Sequence, residues 1–178
     1  MQPLDPPDSH HLRAAQGWLE LGDWREATGE LERIGPELRS HPDVLDVRFH
    51  ICAEAGNWDA AAKIARELVQ ISPTEAQFWI SHAYATRRMP GGGIPQAKEI
   101  LSEAQRLFPK ERIISYNLAC YDCQLGNNTE AGKWLAIAFD LGDAEQVKMM
   151  ALKDPDLKPL WPEIAKLAEN AGVTKRPG

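Results

Sequence analysis

The sequence predicts an all-α chain, an α-solenoid of about four helix-turn-helix hairpins closed by capping helices at its carboxyl end. Three observations carry this. Four alanines, Ala27, Ala61, Ala97 and Ala131, recur at intervals of 34, 36 and 34 residues. The letters around them repeat too: Gly22-Asp23-Trp24-Arg25-Glu26-Ala27 returns as Gly56-Asn57-Trp58-Asp59-Ala60-Ala61, and again as Gly126-Asn127-Asn128-Thr129-Glu130-Ala131. Between these turns the apolar residues fall three and four apart, the spacing of one helix face. A fixed period of this length marks stacked hairpins, none of which can bury its apolar face alone.

Residues 1–7 read as a tail, and the first hairpin spans about 8–41. Leu12, Ala15, Trp18, Leu19 and Leu21 form the apolar set of its first helix, which stops at Gly22. Trp24, Ala27, Leu31 and Ile34 mark the second helix. Gly35-Pro36 breaks or kinks it, because proline lacks the backbone donor and clashes with the preceding turn. A short helical continuation through Glu37-Leu38-Arg39 follows. The second hairpin, about 42–75, begins at Pro42 with Asp43 in the first turn, where a carboxylate suits the helix dipole. Leu45, Phe49, Ile51 and Cys52 form its first stripe, closed by Ala55-Gly56. Trp58, Ala61, Ile64, Ala65, Leu68 and Ile71 form the second, ended by Ser72-Pro73.

The third hairpin, about 76–111, carries Phe78, Trp79, Ile80, Ala83 and Tyr84, then the loop from Pro90 to Pro95. Ala97, Ile100, Leu101, Ala104 and Leu107 follow, before Pro109. The two extra residues of the 36-residue interval belong in the glycine loop, where added length shifts no buried face. The fourth hairpin, about 112–143, has Ile114, Leu118, Ala119, Cys120 and Tyr121, the turn Gly126-Asn127-Asn128, then Ala131, Trp134, Leu135, Ala138 and Leu141. The recurring alanine follows from packing. A methyl group lets two antiparallel helices approach closely, where a larger residue typically costs ~1–3 kcal/mol in strain.

Beyond Gly142 the period stops. Ala144 to Leu152 reads as one short helix, Lys153-Asp154-Pro155-Asp156 as a break with Asp156 the N-cap, and Leu157 to Ala171 as a last helix interrupted at Trp161-Pro162. Residues 144–171 therefore cap the apolar end that a stacked array would otherwise expose, and 172–178 form a tail.

Composition narrows the function classes. The 43% hydrophobic and 26% charged content belongs to an ordinary soluble chain. No apolar run approaches the ~20 residues that span a bilayer. The acidic, proline-rich start has neither the basic residues nor the apolar stretch of a secretory signal. A net charge of -6 disfavours non-specific nucleic-acid binding. Residues 1–75 hold 14 Asp and Glu against 7 Lys and Arg, so long-range steering favours a partner with a basic segment. Three cysteines argue against a disulfide framework and fit a reducing compartment. The expectation is a cytoplasmic protein that engages no membrane and no nucleic acid.

The repeats resemble the tetratricopeptide repeat (TPR) family over about residues 8–143. The matching positions are the turn glycines Gly22, Gly56 and Gly126, the aromatics Trp24 and Trp58, the four alanines, and the closing prolines Pro73 and Pro109. Tyr116-Asn117-Leu118-Ala119 also matches the family's first-helix pattern. The first repeat departs at Gly35-Pro36, and the third lacks the turn glycine in its usual place. This resemblance implies a right-handed superhelix whose concave groove, lined by first helices, holds an extended peptide or a helix of a partner. The groove positions it implies are Leu12, Gln16, Asp46, His50, Ile80, Tyr84, Arg87, Tyr116, Asn117, Cys120 and Gln124. The family's best-known subgroup grips a chaperone's terminal carboxylate with lysine, asparagine and arginine. Leu12, Gln16, Val47, Gln77 and Ser81 stand at those places here, so that clamp is absent.

Other motifs have the residue types of chemistry without its context. Cys120-Tyr121-Asp122-Cys123 could carry redox chemistry or half a zinc site, but it falls inside a helix that the repeat explains. The histidines form no ligand set. Pro90-Gly91-Gly92-Gly93 lacks the phosphate-loop pattern and follows a helix, so it reads as a turn. Asn127-Asn128-Thr129 matches a glycosylation sequon, yet Asn128 or Thr129 more simply caps the next helix. Asp154-Pro155-Asp156 reads as a cap before it reads as a weak cation site.

The reading is a non-enzymatic interaction module, needing no cofactor or metal, monomeric or weakly self-associating. It holds a partner segment through Tyr84, Tyr116, Asn117 and Arg87, with Asp46 and His50 selecting charge. Two alternatives stand beside it: a small secretion-type TPR chaperone, and a redox or metal-binding protein using Cys120, Cys123 and Cys52.

Overall fold

Turn chemistry sets the helix ends. The computed structural model describes residues 4–164, and among them are nine α-helices, two 3-10 segments, a helical stretch at 161–164 and no strand. Gly22, Gly56 and Gly126 adopt φ of 77°, 70° and 81°, left-handed values that a side chain would strain. After two of these turns a polar side chain caps the next helix. Asp23 accepts from the backbone N–H groups of Arg25 and Glu26, and Asn57 accepts from that of Ala60, supplying partners for donors that a helix start leaves orphaned.

The chain forms two compact units, Met1–Gly93 and Ile94–Gly178. The division falls at the end of the glycine loop, inside the segment that the period assigns to the third hairpin. In the first unit lie α1 (Asp8–Glu20), α2 (Trp24–Glu32), α3 (Pro42–Glu54), α4 (Trp58–Ile71) and α5 (Ala76–Arg88). From α1 to α4 each packs on its successor in the chain, and α1 also meets α3. Leu12 and Ala15 of α1, Ala27 and Leu31 of α2, and Val44, Val47 and Ile51 of α3 share one core. Phe49 of α3, Ala61, Ala62 and Ala65 of α4 and Ala85 of α5 form a second.

Gly35-Pro36 ends α2 after nine residues, as expected, and Pro36–Leu38 forms a 3-10 turn. The Arg39 guanidinium donates to the carbonyls of Glu32 and Ile34, so the α2 end keeps hydrogen-bond partners. Ile34 lies beyond the helix yet is buried. The imidazole of His41 caps α3, its Nδ1 accepting from the Asp43 N–H at 3.2 Å.

The second unit holds α6 (Ile94–Leu107), α7 (Arg112–Gln124), α8 (Asn128–Leu141), α9 (Ala144–Ala151) and the 3-10 segment Pro155–Leu160. α7 packs against α6, α8 and that 3-10 segment. All four periodic alanines are fully buried, which is the packing role their recurrence predicts.

Trp18, Leu21, Ile71, Leu107 and Leu141 are exposed, not core. All lie in the last turn of a helix or just past it, outside the narrow stripe that a helix buries. Asn127, not Asn128 or Thr129, precedes α8, and its side chain donates to Asp122 instead of capping. Asp154, not Asp156, caps the 3-10 segment, accepting from the Asp156 N–H at 3.0 Å. Residues 161–164 are helical. The rest of the expected last helix and the 172–178 tail lie outside the described residues.

Candidate functional site

Helical spacing brings three stripes of side chains to one face of the first unit. On α1 the stripe is Gln16 and Glu20; on α3 it is Asp46, His50 and Glu54; on α5 it is Gln77, Ile80 and Tyr84. Between α1 and α3 lies an open hollow of about 570 Å³ lined by Gln16, Leu19, Glu20, Asp46, Val47, His50 and Glu54. Between α3 and α5 lies another of about 310 Å³ lined by Phe49, His50, Ala53, Glu54, Gln77, Ile80, Ser81 and Tyr84. His50 and Glu54 belong to both, so the two hollows adjoin along α3 and form a two-part depression.

The α1–α3 end is acidic and the α3–α5 end is apolar. Among the described residues, no lysine or arginine lines either hollow. Asp46 Oδ1 is buried without a hydrogen-bond partner, and the His50 Nε2 stands 3.8 Å away, too far for a hydrogen bond. Burial pushes the Asp46 carboxyl above its ordinary range. His50 opposes that shift and the Asp43 charge adds to it. At the apolar end Tyr84 is 43% exposed. Its ring meets Trp58 edge-on at 5.6 Å, and the Arg88 guanidinium lies 3.5 Å from its centroid. Arg88 also donates to the Tyr84 carbonyl at 3.0 Å. An aromatic face held between a ring and a cation is pre-organised at little entropic cost.

Of the groove positions named from the sequence, Gln16, Asp46, His50, Ile80 and Tyr84 line this depression. Leu12 belongs to the core beneath, and Arg87 lines neither hollow. Glu20 and Glu54, which line it, were missed, and so was Arg88, which stacks on Tyr84 without lining either hollow. Each stands four residues after a named position (Gln16, His50 and Tyr84), so extending the same stripe by one turn finds them.

The second unit treats its positions differently. Tyr116 and Cys120 were expected to line an open groove, but they are 7% and 3% exposed. The chain's own Asp154 covers them: its Oδ2 accepts from the Tyr116 hydroxyl at 3.1 Å and from the Cys120 thiol at 3.5 Å. Gln124 donates to Asp156, and Asn117 is half-buried. The Tyr116 hydroxyl is driven far above its usual pKa, by burial first and then by the charges of Cys120 and Asp154. It therefore stays a donor. The Asp154 carboxylate is thus engaged in holding this segment on α7.

The C-x-x-C thiols lie on α7, both buried. Burial raises the Cys123 thiol pKa, and the Asp156 and Asp154 charges raise it further. Burial also raises that of Cys52. These directions oppose the thiolate that redox and metal chemistry use. Among the described residues no three His, Cys, Asp or Glu side chains are grouped to hold a metal, and no helix is long and apolar enough to cross a membrane. In the glycine loop the Gly93 N–H donates to the Thr86 carbonyl, so that donor serves the end of α5.

No protein-family model matches the chain, and no curated protein matches it.

Proposed function

We propose that this chain is a TPR-like helical-repeat protein acting as a non-enzymatic interaction module, and that it holds a partner's polypeptide segment in the depression of its first unit. One observation carries the reading. The stripes of α1, α3 and α5 frame two adjoining hollows, one of them with apolar lining and an exposed aromatic anchor, Tyr84. The equivalent α7 positions are occupied by the chain's own Asp154 and Asp156, so the partner segment belongs to the first unit alone. Affinity at such a surface comes from a few desolvated anchors. Tyr84 and Ile80 fill that role.

The test is selection of short random peptides, displayed on phage, against the immobilised full chain. Peptides should be enriched, and Tyr84→Ala should weaken them about tenfold, the scale of an interface anchor, with helix content unchanged by circular dichroism. Absence of enrichment, or enriched peptides indifferent to Tyr84→Ala, overturns the proposal.

A further inference from the structure

We infer that the occupant of the first unit's depression is a segment presenting one arginine or lysine beside an apolar side chain, the cation lying over the α1–α3 end and the apolar group in the α3–α5 hollow. This inference rests on the reading of that depression as a peptide site, and it names the chemistry of the guest.

Charge complementarity carries it. Glu20, Asp46 and Glu54 converge on the α1–α3 hollow, and no lysine or arginine among the described residues lines it. Carboxylates gathered in a concavity focus a negative potential that attracts cations and repels acidic guests. Asp46 adds a separate observation. It is partly withdrawn from water, with one oxygen buried and lacking a hydrogen-bond donor, and its His50 neighbour is 3.8 Å off. A guanidinium or ammonium placed over the hollow adds to the partial compensation that His50 gives Asp46. The surface of the other hollow is different in kind. Phe49, Ala53, Ile80 and Tyr84 line it, which suits an aliphatic or aromatic side chain. His50 and Glu54 stand at the junction, so both side chains come from one guest lying across α3.

The experiment uses two random displayed libraries against the full chain, one with all residue types and one built without lysine, arginine or histidine. The expected result is that Tyr84-dependent binders come from the complete library and carry lysine or arginine. In such a synthetic peptide, changing that cation to glutamine should weaken binding about three- to fivefold, the scale of a solvent-exposed ion pair. Glu54→Gln should weaken the original peptide similarly yet leave the glutamine peptide unaffected. Tyr84-dependent binders emerging equally from the cation-free library would overturn this inference and leave the peptide site standing. Additive effects of the two changes would overturn it in the same way. If neither library yields a Tyr84-dependent binder, both fall together.

Discussion

Asp122 holds its carboxylate almost entirely out of water, at 1% side-chain exposure, with the Lys98 ammonium 2.5 Å away. The Asn127 amide donates to the same oxygen at 3.0 Å, while Oδ2 has no hydrogen-bond partner. Removing one member of such a pair strands the other charge, which costs more than the pair itself contributes. Lys98→Ala is therefore expected to lower unfolding free energy by about 3 kcal/mol in urea denaturation. The double change Lys98→Met with Asp122→Leu should recover most of that loss. A loss no greater than that of a surface lysine would show that water reaches the carboxylate. His82 gives a second prediction. Burial, and then the Arg66 charge, push its pKa from 6.5 down to about 4, and its Nε2 is buried and unpaired. Between those values the unfolded chain takes up a proton that the folded chain refuses, so His82 costs stability as the pH falls through that window. The melting temperature should drop between pH 6.5 and 4, and His82→Gln should make that drop shallower. An unchanged pH profile would contradict the assignment.

Among elements, the turns that look alike in sequence differ in why they need glycine. At Gly56, φ is 70° and a Cβ would meet nothing within 4 Å, so Gly56→Ala carries only the left-handed backbone cost, about 1 kcal/mol. At Gly92 a Cβ would stand 2.0 Å from the Thr86 carbonyl oxygen, which is backbone and cannot swing aside. Gly92→Ala should therefore destabilise the first unit distinctly more than Gly56→Ala in thermal melts, and the reverse order would refute this account of the loop. The helices themselves were legible in the sequence, because turn glycines, caps and three-and-four spacing are local signals. Gly22 and Gly56 announce the ends of α1 and α3, and Gly35-Pro36 announces the end of α2. Contacts made across long separations were not. Nothing local in Asp154-Pro155-Asp156 says that its carboxylates reach back to Tyr116 and Gln124, since that pairing spans 38 and 32 residues. For the same reason the groove positions on α7 were read as open. On α1, α3 and α5 the stripe itself was readable, because it follows from helix spacing once the first helices are located. Glu20, Glu54 and Arg88 needed only one more turn of it.

At the scale of the molecule, the acidity of the first 75 residues and the acid end of the depression agree in sign, so distant steering and local fit favour the same guest. The two units take different parts. In the second, α7 holds the chain's own acidic segment, while in the first the hollows beside α3 are open. The most direct test of that division is amide hydrogen exchange on the full chain, with and without a Tyr84-dependent peptide from the complete library. Slowed exchange confined to α1, α3 and α5, with α7 and residues 154–160 unchanged, is the predicted result. Protection appearing instead on α7, or release of the 154–160 segment on binding, would contradict it.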